Sequence, residues 1–198
     1  MFIQTETTPN PQTLKFLPGR VVLEQGTAEF LDAEDADRRS PLAARLMGID
    51  GVTGVFFGFD FITVTRDDTA WQHLKPAILA GIMEHFMSKQ SVMADDAGHA
   101  PSGSDSGEEF YEPGDESIVA TIKELIETRV RPAVAQDGGD ITFKGFREGT
   151  VFLNMRGACA GCPSSTATLK HGIENLLRHF VPELSLIHIS EPTRLRRI

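Results

Sequence analysis

Arg156-Gly157-Ala158-Cys159-Ala160-Gly161-Cys162-Pro163 holds both cysteines of a 198-residue chain. Working outward from it, Val151 to Arg156 reads as a strand. It pairs with Ile141 to Phe146 as a hairpin turning at Glu148-Gly149. Pro163 suits the first position of a helix, whose apolar face is Leu169, Ile173, Leu176, Leu177 and Phe180, and Pro182 ends it. Upstream, Asp137-Gly138-Gly139-Asp140 is a turn. Ile118, Val119, Ile122, Leu125, Ile126 and Val130 recur at helical spacing, which predicts a helix from Glu116 to about Val134 despite Pro132. Strand, Gly-rich loop and helix in that order define a small mixed unit over 115–184.

The loop has the chemistry of a soft-metal or disulfide site. Two thiolates this close bind metal or exchange a disulfide. They cannot fill a four-thiolate shell alone, so an all-sulfur site must borrow two ligands, most simply from a second copy of the chain. Both sulfurs should lie near a helix amino terminus, where unpaired N–H groups and the dipole favour negative charge and prime the thiols. Gly157, Gly161, Ala158 and Ala160 let backbone N–H groups approach bound sulfide. Ser164, Ser165 and Thr166 read as helix caps or as donors to the sulfurs. Zinc held by four thiolates from two chains is an alternative. His171 and His179 lie eight residues apart, too far for a zinc-finger pair, and read as solvent-facing. A thioredoxin-like dithiol is a second alternative, disfavoured because the preceding strand belongs to a hairpin and no βαβ context is evident. Two inert buried cysteines are a third, disfavoured by the flanking Gly and Pro.

Residues 1–90 read as a second mixed unit. Phe2 to Thr7 and Thr13 to Leu17 suit strands around a Pro9-Asn10-Pro11 breaker. Val21-Val22-Leu23 is a third strand candidate. Ser40 to Met47 suits a helix capped by Ser40 with Pro41 at its first position. Gly51 to Phe59 and Phe61 to Thr65 suit a hairpin. Leu74, Ile78, Leu79, Ile82, Met83, Phe86 and Met87 trace one helical face, which with Trp71 reads as core. Between the units, Gln90 to Ile122 has no Lys or Arg but carries Asp95, Asp96, Asp105, Glu108, Glu109, Glu112, Asp115 and Glu116 amid Gly, Ser and Pro. This predicts a flexible acidic linker over 91–114. The class is therefore α+β: two small mixed α/β domains joined by that linker. Net charge −9 argues against a nucleic-acid partner, and no apolar run suits a membrane span. Two cysteines exclude a disulfide framework and fit a reducing compartment.

The stretch from Asp137-Gly138-Gly139-Asp140 through Gly157-Ala158-Cys159-Ala160-Gly161-Cys162-Pro163-Ser164-Ser165-Thr166 to Gly172-Ile173-Glu174 closely resembles the carboxy-terminal domain of NifU-like (Nfu) iron–sulfur scaffold proteins. Gln4-Thr5-Glu6 and Pro9-Asn10-Pro11-Gln12-Thr13-Leu14-Lys15-Phe16-Leu17-Pro18-Gly19 resemble the Nfu amino-terminal domain. The resemblance covers about residues 1–184. It implies a homodimer-forming carrier, not an enzyme, that holds a [4Fe–4S] cluster between two protomers through Cys159 and Cys162. The carrier would pass the cluster from upstream assembly proteins to client apoproteins. The start of the chain carries no presequence, which suggests a bacterial, cytoplasmic member. The basic segment 185–198 departs from the family pattern and resembles a translated sequencing-adapter artefact. A last strand of the second domain would then be lost, or imitated by Leu184 to Ile189.

Overall fold

The computed structural model describes residues 2–94, 109–160, 163–182 and 184–190. They fall into two compact units. Most of the segment read as the acidic linker, 95–108, lies outside the described residues, as does 191–198.

The first unit is built on a five-stranded antiparallel sheet in the order β1-β2-β5-β4-β3. Its strands are β1 (Gln4–Thr7), β2 (Thr13–Leu17), β3 (Ala28–Phe30), β4 (Val52–Phe57) and β5 (Ile62–Arg66). Three helices accompany it: α1 (Ala33–Arg39), α2 (Pro41–Met47) and α3 (Trp71–Met87). Ser40 caps α2 through its side chain, which accepts from the Ala43 N–H at 3.0 Å, with Pro41 at the first position as expected. Phe16, Phe30, Phe57, Ile62, Leu42, Leu46, Ile78 and Ile82 form one fully buried core, each side chain contributing about 1.5–3 kcal/mol by its removal from water. Val92 and Met93 pack against it, and the Ser40 hydroxyl donates to the Val92 carbonyl at 2.5 Å.

Two sequence expectations need correction in this unit, and one helix has no counterpart among them. Val21-Val22-Leu23 is not a strand; the Val22 and Leu23 N–H groups both donate to the Phe59 carbonyl, and the third strand is Ala28–Phe30. Helix α1, capped by Asp32, went unread because its apolar content is two alanines. On α3, Leu74, Ile78 and Ile82 are buried as expected, and Trp71, Leu79 and Phe86 pack against the core, while Met83 and Met87 are exposed. The buried face takes in Gly81 and His85 instead, a histidine whose burial lowers its pKa.

The second unit opens with a continuous helical run: α4 (Glu116–Leu125), a π-helical turn (Ile126–Val130) and α5 (Arg131–Gln136). Pro132 explains the turn. Proline lacks the N–H for an i→i−4 bond, and its ring clashes with the carbonyl four residues back. The widened turn, with the Arg131 N–H reaching back to the Ile126 carbonyl, absorbs that clash without breaking the helix. The hairpin follows as expected, β6 (Gly139–Arg147) against β7 (Thr150–Gly157), with a register shift between Phe143 and Gly145. Glu148 and Gly149, at φ 49° and 73°, make the two-residue turn that fits the strands' twist. Helix α6 (Pro163–Phe180) then leads to β8 (Leu186–Ser190), which pairs parallel to β7. The element Leu186–Ser190 thus stands where the last strand was anticipated, with Ile187 fully buried. The succession β7-α6-β8 is a βαβ unit, contrary to the expectation that such a context was missing; its second strand lies in the segment set aside as a basic tail. On α6, Ile173 and Leu177 are buried, and Phe180 is exposed under the Arg129 guanidinium. Among the described residues no helix is long and apolar enough to cross a membrane.

At the amino edge of this unit, Phe110 bridges to Gly145 beside β6. A Cβ at Gly145 would fall 2.6 Å from the Phe110 ring, so the glycine is the seat for that ring. Phe152 meets it edge-on at 5.0 Å, Arg147 covers it, and Lys123 pairs with Glu109 alongside.

Candidate functional site

The site grows from the two ends of the β6–β7 hairpin. Gly139 pairs with Gly157 and Asp140 with Arg156, so the Asp137–Asp140 turn and the cysteine loop meet although they lie some twenty residues apart. Gly157 adopts φ 69°, a left-handed conformation that redirects the chain out of the strand. Ala158 then donates to the Gly138 carbonyl at 3.1 Å, and Ala160 to the Gly157 carbonyl at 3.1 Å. These bonds fold the loop down onto the turn.

Cys159 rests directly on Gly139. A Cβ at Gly139 would lie 2.9 Å from the Cys159 Sγ, 3.2 Å from its Cβ and 2.6 Å from the Arg156 carbonyl oxygen. The sulfur fills the space that the missing side chain leaves. Cys159 is only 3% exposed and belongs to the second core, with Met155, Val134 and Ile141. The expectation that flanking Gly and Pro keep the cysteines out of a packed core is therefore wrong for Cys159; the glycine across the hairpin makes the room. Cys162 lies outside the described residues, as do the side chains of Ser164, Ser165 and Thr166. His171 and His179 are exposed on α6, as expected.

Burial also reverses the expected electrostatics. The Cys159 thiol is pushed up from 9.0 to about 12, first by desolvation and then by the carboxylates of Asp137 and Asp140. Removing a thiolate from water outweighs the helix-terminus contribution of at most ~2 kcal/mol. Between these two values the folded chain keeps a proton that the unfolded chain has lost. Stability thus falls as pH rises through that window, by up to about 1.4 kcal/mol per pH unit. Urea unfolding between about pH 9.5 and 11 should show this slope as the difference between the parent and Cys159→Ala. Equal slopes would mean that the thiol is not buried.

Below the turn lies a charged cluster that sequence reasoning missed. Arg131 holds Asp140 with both arms of its guanidinium, Nε to Oδ1 at 2.8 Å and Nη2 to Oδ2 at 3.0 Å. Its Nη1 donates to both oxygens of Glu127 at 2.7 Å. Asp140 Oδ1 also accepts from the Ile141 N–H at 2.8 Å, and the Asp140 side chain is 5% exposed. The Asp140 hydrogen bonds, with Glu127 adding to them, hold the Arg131 pKa well above its ordinary value. The legible signal was Glu127 and Arg131 at i,i+4 spacing just before a helix-internal proline. Among the described residues no group of three or more His, Cys, Asp or Glu could hold a metal ion.

A family model described as the Nfu/NifU scaffold-protein amino terminus matches residues 3–89, and one described as the NifU-like domain matches 122–187. The chain is 50% identical over 187 residues to NifU-like protein 4, mitochondrial, of Arabidopsis thaliana. It is 49% identical over 186 residues to the NFU1 iron-sulfur cluster scaffold homolog, mitochondrial, of Homo sapiens. Each match covers 93% of this chain, and 64% and 70% of the respective relative, so the chain spans about two thirds of their length. A solved NifU-like protein from Saccharomyces cerevisiae aligns at 24% identity and a TM-score of 0.43, over 48% of this chain and 86% of that one. This chain belongs to the Nfu/NifU iron–sulfur scaffold family. The relatives' names correct one expectation, that of a bacterial cytoplasmic protein, since they are mitochondrial. That expectation rested on where the sequence starts, which carries no weight in a chain spanning part of its relatives.

Proposed function

We propose that this protein is a carrier, without catalytic turnover, that holds a [4Fe–4S] cluster as cargo between two copies of itself. Each copy gives the Cys159 and Cys162 thiolates, and the cluster passes to client apoproteins. The observation that carries this reading is the junction of the Asp137–Asp140 turn with the cysteine loop, where Gly139 receives the Cys159 sulfur. Chemistry sets the stoichiometry. A cubane cluster takes four thiolates, the chain has two, and a two-fold pair supplies the rest. Loading must draw the sulfur off Gly139 and displace its proton, so uptake releases protons and weakens as pH falls. Delivery is ligand exchange: client thiolates replace the carrier's one after another, and the carrier's sulfurs take up protons as they leave. Burial of the Cys159 sulfur works against a dithiol oxidoreductase, whose attacking sulfur sits partly exposed.

Anaerobic reconstitution with iron and sulfide, followed by Mössbauer spectroscopy and mass in solution, tests this. The expected product is a brown dimer with about four iron and four sulfide per pair of chains. A colourless product, or an iron-loaded species that stays monomeric, would refute the proposal.

A further inference from the structure

We propose that Arg131, Asp140 and Glu127 are positioning residues that keep Cys159 recessed in the cluster-free chain. The inference deepens the carrier reading and rests on it for its purpose, but its geometry stands alone. Gly139, on which the sulfur sits, directly precedes Asp140. Asp140 is fixed at both carboxylate oxygens by one guanidinium and by the Ile141 N–H. The same guanidinium is braced from the far side by both Glu127 oxygens. A two-armed contact fixes orientation as well as distance, which a lysine ammonium cannot do. The clamp therefore sets the pose of the turn whose Gly138 carbonyl receives the Ala158 N–H and whose Gly139 backs the sulfur. Held this way, the sulfur stays in the core until Ala158 and Cys159 part from the turn. Parting exposes the thiol to electrophiles and oxidants, so the clamp sets how often it is exposed before a cluster arrives.

The test uses the full-length chain with Cys162→Ser, leaving one thiol, and follows its alkylation by iodoacetamide at a single pH. Arg131→Lys keeps the charge near the sulfur and removes the fork. It should raise the alkylation rate about tenfold, and amide exchange at Ala158 by a similar factor, while exchange at Leu153 stays within about twofold of the parent. Glu127→Gln, which only removes the outer brace, should raise both about threefold and remains informative if the lysine variant fails to fold. A substitution with a matched loss of melting temperature away from the turn, such as Ile187→Val, should leave Ala158 and Cys159 moving together with Leu153. Alkylation and Ala158 exchange that change no more than Leu153 in the clamp variants would overturn the inference. Because these readings need no cluster, a parent that takes up no iron would sink the carrier reading while the clamp is still decided.

Discussion

Gly139→Ala is expected to destabilise the second unit by about 3 kcal/mol, at the upper end for an overpacked site. The added methyl would sit 2.6 Å from the Arg156 carbonyl and 2.9 Å from the Cys159 sulfur. The sulfur could move aside, but the carbonyl belongs to the backbone of β7, whose partner is β6 itself, and cannot yield without spreading the hairpin. For a unit of this size the loss corresponds to a melting temperature lower by about 15 °C. Differential scanning calorimetry of parent and variant would measure it. The cluster-loading consequence is equally direct, because the methyl takes the volume in which Cys159 is stored. A variant melting within about 2 °C of the parent would show that the sulfur does not rest on this glycine.

Arg131→Ala should cost a similar amount for a different reason. Removing one partner of a buried ion pair leaves the other charge desolvated, at about 3–5 kcal/mol. The lower end applies here, because Arg131 is 29% exposed and Asp140 keeps the Ile141 N–H. Replacing both partners, as Arg131→Met with Asp140→Leu, should recover most of the loss, since no buried charge is left alone; Glu127, which also loses its partner, is largely exposed to water. Urea titration of the single and double variants would give the comparison. A double variant as unstable as the single one would show that the pair's value lies in its charges and not in mutual satisfaction.

Much of this architecture could be read from residue patterns, and the failures share a cause. The hairpin was legible because Glu148-Gly149 is a strong local turn between alternating strands, and α2 because Ser40-Pro41 is a strong local start. Helix α1 and the strand Ala28–Phe30 have weak local signals and exist through the core they join. The helical run was legible, but not its widened turn, since Pro132 says only that something must give. At the site, both cysteines and the Asp137–Asp140 turn were singled out, yet their contact was not. Whether Cys159 is buried depends on Gly139 across the hairpin, and whether its thiol is primed depends on that burial. Such pairings between distant residues are written in the register of the strands, which no window of sequence contains. The same holds for the closing strand, whose residues looked foreign while their backbone completes the sheet.

The wide turn at Ile126–Val130 makes the helix unusually sensitive to length. It accommodates one residue more than ordinary winding would. Deleting a single residue there would remove that surplus, so the side chains beyond the cut would keep roughly the faces they have now, Arg131 toward Asp140 included. The ring of Pro132 would, however, meet the carbonyl four residues back, the clash that the wide turn now avoids. A lost codon at this spot would therefore spare the direction of the latch and bend the rod that carries it.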